Sequence, residues 1–372
     1  MTASFYRLVG RLVAETPLHI GSGAKTGVIK HSRSYIPGFF IRGVFGTGLL
    51  KLEGESGDLY SLLFAEEFGK ASNLFFRYAY PIHMGCDGGV FLPSPKTLYR
   101  CSNPQCGKLY DSFDPPYRCE VKGCNGRVKP ALGFQCSQCG KVKDEPVPRS
   151  RITLTAVDRS IQSSAQVKAE GEVAGTLHVV ELIGRGAVFA LEVVLDRACE
   201  PYLERIKTVL SRCLPDEGIG GSKSRGLGKV SVQDLRIEEV NTEQLEKRVE
   251  DINVESFSLK LVSPLILRDH STLESSTVLE GCRRAYSWCF HEPKPALPEI
   301  TIKTRRLSSE MISGWSFKTG RRRRVEPAIS SGSVVLVESD GANEALARSL
   351  VALEYCAIGG YKPHGCGQLK VV

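Results

Sequence analysis

Residues 218–230 read GIGGSKSRGLGKV, and residues 357–369 read AIGGYKPHGCGQL. Laid over one another without a gap, they match Gly220, Gly221, Lys223, Gly226 and Gly228 to Gly359, Gly360, Lys362, Gly365 and Gly367, with Arg225 over His364. Glycine takes a positive φ without the penalty of a Cβ, so a glycine pattern kept through two copies specifies one backbone path. The match predicts an internal repeat, two homologous domains that each end in the same loop.

The flanking sequence repeats as well. FYRLVGRLVA at 5–14 and FSLKLVS at 257–263 alternate in the manner of strands, and each runs into a proline, as TPLHIGSG and SPLILRDH. In the first half, IPGFFIRGVFGTGLLKL from residue 36 reads as a turn and an apolar helix carrying Arg42, GTLHVVELIG and AVFALEVVLD read as strands, and YLERIKTVLSRC reads as a helix. SGSVVLVES and ANEALARSLVALEYC give the second half its strand and helix, and residues 236–256 read as a linker. Helix, glycine loop, strand is how a β-α-β-β-α-β ferredoxin-like domain ends. The expected fold is therefore α+β, two tandem ferredoxin-like (RRM-like) domains at 1–240 and 241–372, the first with an insert at about 98–145. GGSKS is not a nucleotide-hydrolysing phosphate loop: the order G-x-x-x-x-G-K-[ST] is absent, and the loop follows a helix. Such a loop turns backbone amides outward as an anion nest.

The insert holds six of the 13 cysteines, in CSNPQCGK, CEVKGCNG and CSQCGK. Each pair is followed by a small turn residue that folds the chain back toward the thiols, and the surrounding NPQ, DPP and NG have no core of their own to fold on. Structural zinc on Cys101, Cys106, Cys119, Cys124, Cys136 and Cys139 is the expectation. Two partitions are open. One ion takes the first four and leaves Cys136 and Cys139 to recruit His83 and Cys86 from PIHMGC, or the last pair completes a site with an earlier one. The amino terminus carries no export signal, which points to a cytoplasmic protein with reduced thiols. No apolar stretch is long enough to span a membrane. A net charge of +8 and the run Arg321 to Arg324 suit a polyanionic partner.

At this point the paired loops, IPGFFIRG and TPLHIGSG resemble the RAMP superfamily of CRISPR-associated proteins. LPSPKTLYRC before the cysteine insert, TLTAVDRSIQSSAQ after it, and GWSFKTGRRRRVEPAISSGSVVLVE are similar to the two-domain RAMP subunit (Csx-ten, Cas-five group) of type III-D effector complexes. That resemblance implies a non-catalytic subunit that binds the repeat-derived five-prime tag of CRISPR RNA and caps a multisubunit assembly with other Cas subunits, meeting target RNA indirectly. The loop AKTGVIKHSRS has no acid where related backbone subunits carry a cleaving aspartate. Expected RNA contacts are Lys25, Lys30, His31, Arg33, Arg42, Gly220, Gly221, Lys223, Ser224, Arg225, Gly226, Arg321, Arg322, Lys362 and His364. Of the two loops, 218–228 is expected to be the main phosphate grip, because Pro363 stiffens the second and removes an amide from it. The competing reading is a CRISPR RNA-processing endoribonuclease of the same tandem fold, which needs a general base; His31 and His364 are its candidates.

Overall fold

A computed structural model of the chain describes residues 4–54, 57–155, 157–158, 160, 163–164, 166–169, 172–175, 177–267, 273–316, 320–341 and 343–372. Twelve elements carry the repeat. The first half contributes β1 (Phe5–Ala14), α1 (Gly38–Glu53), β2 (Leu74–Phe76), β3 (Val188–Asp196), α2 (Leu203–Glu217) and β4 (Val230–Val240). The second contributes β5 (Ser256–Leu261), α3 (Ser275–Phe290), β6 (Ile300–Arg306), β7 (Val334–Ser339), α4 (Glu344–Cys356) and β8 (Leu369–Val371). The first sheet runs β4-β1-β3-β2 and the second runs β6-β7-β5-β8, the same ferredoxin-like order read from opposite edges. All neighbours are antiparallel; β1 pairs Phe5 with Asp196 of β3 on one side and with Val240 of β4 on the other.

Alternation along β1 decides what each face of the first sheet covers. Tyr6, Leu8, Leu12 and Ala14 point to one side and join Ile41, Phe45, Leu49, Ile206 and Leu210 of α1 and α2 in one core. Phe5 points to the other side, where it joins Phe75, Val194 and Val240 in the core of the second half, against α3 and α4. Its ring lies 5.3 Å from Trp288 and 4.9 Å from Tyr355, and Trp288 also meets Phe75 at 5.3 Å. The result is four layers: α1 and α2, the first sheet, α3 and α4, the second sheet. Polar groups brace the same seam. Arg7 sits between Glu192 and Glu238 at 2.9 and 3.1 Å, and buried Arg77 donates to the carbonyls of Glu354 and Tyr355 at the end of α4.

Residues 236–256 are more ordered than the linker expected from their polar composition. They hold the end of β4 and a helix at Thr242–Val249, because Asn241 and Gln244 form a reciprocal capping box and Leu245 reaches the shared core. A side sheet of the first half orders Arg149–Leu154, His178–Ile183, Ile29–Ser32 and Gly21–Thr26. The insert forms two small sheets, one of Leu98–Cys101, Leu109–Asp111 and Val128–Pro130, the other of Phe91–Pro93, Phe134–Cys136 and Val142–Lys143. Lys260 of β5 holds Asp111 of the insert at 2.7 Å.

Candidate nucleic-acid groove and metal centres

The two glycine loops are one conformation used twice. Positive φ recurs at Gly218 and Ala357 (66° and 61°), Gly220 and Gly359 (94° and 80°), and Ser222 and Tyr361 (61° and 55°). It recurs again at Gly226 and Gly365 (80° and 90°) and at Gly228 and Gly367 (89° and 74°). The hydrogen bonds repeat too. Gly221 donates to the His19 carbonyl and Gly360 to that of Ile266, while Gly228 donates to Pro17 and Gly367 to Pro264. Each loop thus closes on the segment after the proline of its own half, and His19 occupies the backbone position that Ile266 fills in the second copy.

Their surroundings differ. The second loop is packed against the first half: a Cβ on Gly365 would lie 2.5 Å from the Phe76 carbonyl and 2.8 Å from the Tyr78 ring. Lys362 places its ammonium 5.8 Å from the centre of the Phe75 ring, and Arg323 donates to His364 Nε2 at 2.7 Å. Burial, then the charges of Arg42 and Arg323, hold the His364 imidazole well below its ordinary 6.5, so it is neutral. The later part of this loop, Pro363 and Gly365 to Gly367, is buried by docking. Around the first loop, Ser224, Arg225 and Gly226 are exposed.

A groove of about 430 Å³ opens beside that first loop, lined by His19, Lys30, His178, Ser222, Ser224 and Arg225 with apolar Leu154 and Val180. The lining side chains include two imidazoles and two cations but no carboxylate. His19 Nδ1 lies 3.0 Å from the Glu181 carbonyl oxygen. A carbonyl only accepts, so Nδ1 is the donor, and in the neutral ring this places the lone pair on Nε2, the tautomer a general base uses. The Glu181 carboxylate spans His31 Nδ1 and Arg151, each at 2.9 Å, and the His31 hydrogen bond followed by that of Arg151 pulls its pKa below the usual carboxylate value. His31 Nε2 is taken by Thr26 Oγ1 at 2.9 Å.

Of the residues nominated from sequence, Lys30, Ser224 and Arg225 meet in the groove, and Gly220, Gly221 and Gly226 shape the loop beside it. Others are engaged elsewhere. Lys223 donates to the carbonyls of Glu217 and Gly218 at 2.9 and 3.2 Å, drawn to the negative end of α2, and burial lowers its pKa. Arg42 is buried against Glu66 and Glu67 and lies 4.5 Å from the Phe64 ring centre. Arg33 donates to the Tyr35 hydroxyl at 2.8 Å and faces Glu310 at 3.7 Å. Arg321 is exposed on the second half, and the side chains of Lys25 and Arg322 lie outside the described residues. Neither histidine nominated as a base has an open ring nitrogen facing the groove. The base the structure offers is His19 of the TPLHIG turn; its one sequence signal is an imidazole where the second copy reads isoleucine.

The cysteines resolve into two sets. Cys101, Cys106, Cys119 and Cys124 form one and His83, Cys86, Cys136 and Cys139 the other, with all ligand atoms of a set within 4.8 Å of one another. This is the first of the two partitions allowed by the sequence. Sγ atoms stand 3.5 Å apart in Cys101–Cys124 and 3.6 Å in Cys106–Cys119. A disulfide needs about 2.0 Å, whereas the edge of a tetrahedron of zinc–sulfur bonds is about 3.8 Å. Cys139 Sγ and His83 Nδ1 are 3.5 Å apart, against about 3.6 Å for the mixed edge. Both donor sets fit tetrahedral zinc. Within them, Tyr110 donates to Cys119 at 3.2 Å and pulls that thiol down to about 7. Burial pushes Cys136 up, but amides of Cys139 and Gln138 carry it down to about 6.

A sequence model of the RAMP superfamily matches residues 11–231. The chain belongs to the RAMP superfamily. No curated protein matches it. Among solved structures, this RAMP protein is similar to a Cas6 of Thermus thermophilus, with 10% identity, all of both chains covered and a TM-score of 0.42. It is also similar to a Cas6 product complex at 12% identity and the same TM-score, covering 99% of this chain and 100% of that one. A type III-B Cmr-beta complex bound to cognate target RNA matches at 14% identity over 63% of this chain and 61% of that one, with a TM-score of 0.35. The expectation of a non-catalytic capping subunit, and with it of a protein that is not an enzyme, is corrected here. The groove of this RAMP protein carries an imidazole, that of His19, whose Nδ1 is anchored on a carbonyl oxygen as in a general base. Among the described residues, no helix is long and apolar enough to cross a membrane.

Proposed function

We propose that this RAMP protein binds CRISPR RNA along the groove beside residues 218–228 and cleaves it as a processing endoribonuclease, without a metal ion at the reacting phosphate. One observation carries the reading: His19 stands in the groove with Nδ1 anchored on a carbonyl, at a position where the repeat shows that isoleucine serves the fold equally well. In the reaction, His19 Nε2 takes the proton of a ribose 2′-hydroxyl and O2′ attacks the adjacent phosphorus. The bond from phosphorus to O5′ breaks, the leaving oxygen takes a proton from His178, and Lys30 and Arg225 offset the charge that builds on the phosphoryl oxygens. The products are a 2′,3′-cyclic phosphate and a 5′-hydroxyl.

The test is repeat-containing RNA incubated with pure protein in EDTA. We expect cleavage at one position, lost in His19→Ala and retained in His364→Ala. No cleavage by the wild-type protein under any salt condition that permits binding would end the proposal.

We further propose that residues 1–240 and 241–372 are the two domains, that each cysteine set holds a structural zinc ion, and that the protein works in the cytoplasm. Its finer kinship is proposed to lie with the two-domain subunit of type III-D systems, on the motifs flanking the insert, with other Cas subunits as partners. Two zinc ions per chain by elemental analysis would support the metal assignment.

A further inference from the structure

The ribbon formed by Leu98–Cys101, Leu109–Asp111 and Val128–Pro130 carries an arrangement that folding does not ask for. Arg100 of the first strand lies directly opposite Lys129 of the third, and Arg118 bridges to Arg127 just outside the sheet. Like charges placed opposite one another destabilise a β pair, so a ribbon selected only for stability would alternate the signs. All four cations are exposed, and among the described residues none forms an ion pair. The acids of the ribbon do not offset them. Asp111 is engaged by Lys260 at 2.7 Å and by Thr97 at 2.5 Å, which leaves Asp114 and Glu120. Beside the cations, Tyr117 is 70% exposed and holds the Arg127 guanidinium 5.8 Å from its ring centre.

We propose that this ribbon is a second nucleic-acid surface, one that holds single-stranded RNA with phosphates along Arg100, Lys129, Arg118 and Arg127 and a base stacked on Tyr117. The cations alone would accept any polyanion. The exposed ring favours RNA over an acidic protein segment, because every base offers a π face and a carboxylate does not. The surface is independent of the groove and of its proposed chemistry.

The experiment is a fluorescence-anisotropy titration of the full-length, zinc-loaded protein with a short single-stranded RNA at several salt concentrations, and with polyglutamate as the rival ligand. Tyr117→Ala is expected to weaken RNA binding about tenfold. Arg100→Glu combined with Lys129→Glu is expected to flatten the dependence of log affinity on log salt by about 1.4, for two lost phosphate contacts on a single strand. Both variants should keep the zinc content of the wild type. Unchanged affinity and slope with zinc retained would overturn the proposal, as would polyglutamate binding as tightly as RNA. Should a variant lose zinc, photocrosslinking of 4-thiouridine RNA to the unaltered protein decides: adducts on Tyr117 support the surface, and adducts confined to residues outside 98–130 refute it.

Discussion

Gly226 and Gly365 occupy the same place in the two loops, with φ of 80° and 90°, so alanine at either must adopt the left-handed region. That strain costs about 1–2 kcal/mol for a residue with a Cβ. At Gly226 nothing lies within 4 Å of the added methyl, so the strain is the whole cost. At Gly365 the methyl would meet the Phe76 carbonyl at 2.5 Å and two carbons of the Tyr78 ring at 2.8 and 3.1 Å. Relief requires the second loop to back away from β2, and overpacking of this kind adds about 1–3 kcal/mol. Gly226→Ala should therefore lose about 1–2 kcal/mol and Gly365→Ala about 2–5 kcal/mol. Trp288 supplies the signal, since its ring touches Phe5 and Phe75 across the seam that Gly365 helps close. Urea unfolding followed by its emission, with Trp315→Phe removing the other tryptophan, reads both variants on one scale. A Gly365→Ala midpoint no lower than that of Gly226→Ala would refute the claim that the second loop is a packing element.

Three further outcomes follow from buried charge and from the thiols. The unfolded chain binds a proton at His364 below about pH 6.5 that the folded chain refuses, so stability should fall with decreasing pH by up to about 1.4 kcal/mol per unit, and His364→Gln should flatten that part of a stability–pH curve. Arg42→Ala leaves Glu66 and Glu67 without their shared partner and should cost about 3 kcal/mol in denaturant unfolding, with RNA affinity unchanged because the guanidinium does not reach the groove. If both cysteine sets hold zinc, a strong chelator should release two ions per chain and make residues 98–145 the first site of proteolysis, while the twin sheets stay protected in hydrogen exchange.

The repeat was legible because glycine at a positive φ leaves a mark that survives when the surrounding side chains change. Every paired glycine of the two quoted stretches sits where the alignment put it, and the metal sets are one of the two partitions that cysteine spacing left open. What side chains do after the backbone is set was less readable. A lysine or arginine looks the same in sequence whether it meets a phosphate or a helix end; Lys223 is engaged by a carbonyl pair and Arg42 by a carboxylate pair. The role of His19 is not legible in sequence because it depends on the Glu181 carbonyl, which lies far away in the chain and is brought to it by the side sheet.

Duplication also explains how one scaffold accommodates two uses of the same loop. Because the torsions are fixed by glycines common to both copies, the side chains between them are free to diverge without disturbing the turn. In the second copy they are tyrosine, proline and histidine, of which Pro363 is buried and His364 is neutral; such groups lose little on leaving water and suit a seam between the two halves. In the first copy they are serine, serine and arginine, groups that retain solvent and offer donors to a passing anion. The exchange of isoleucine for His19 beneath that open copy follows the same division. An apolar residue closes the loop that docks, and an imidazole lines the loop that faces the groove.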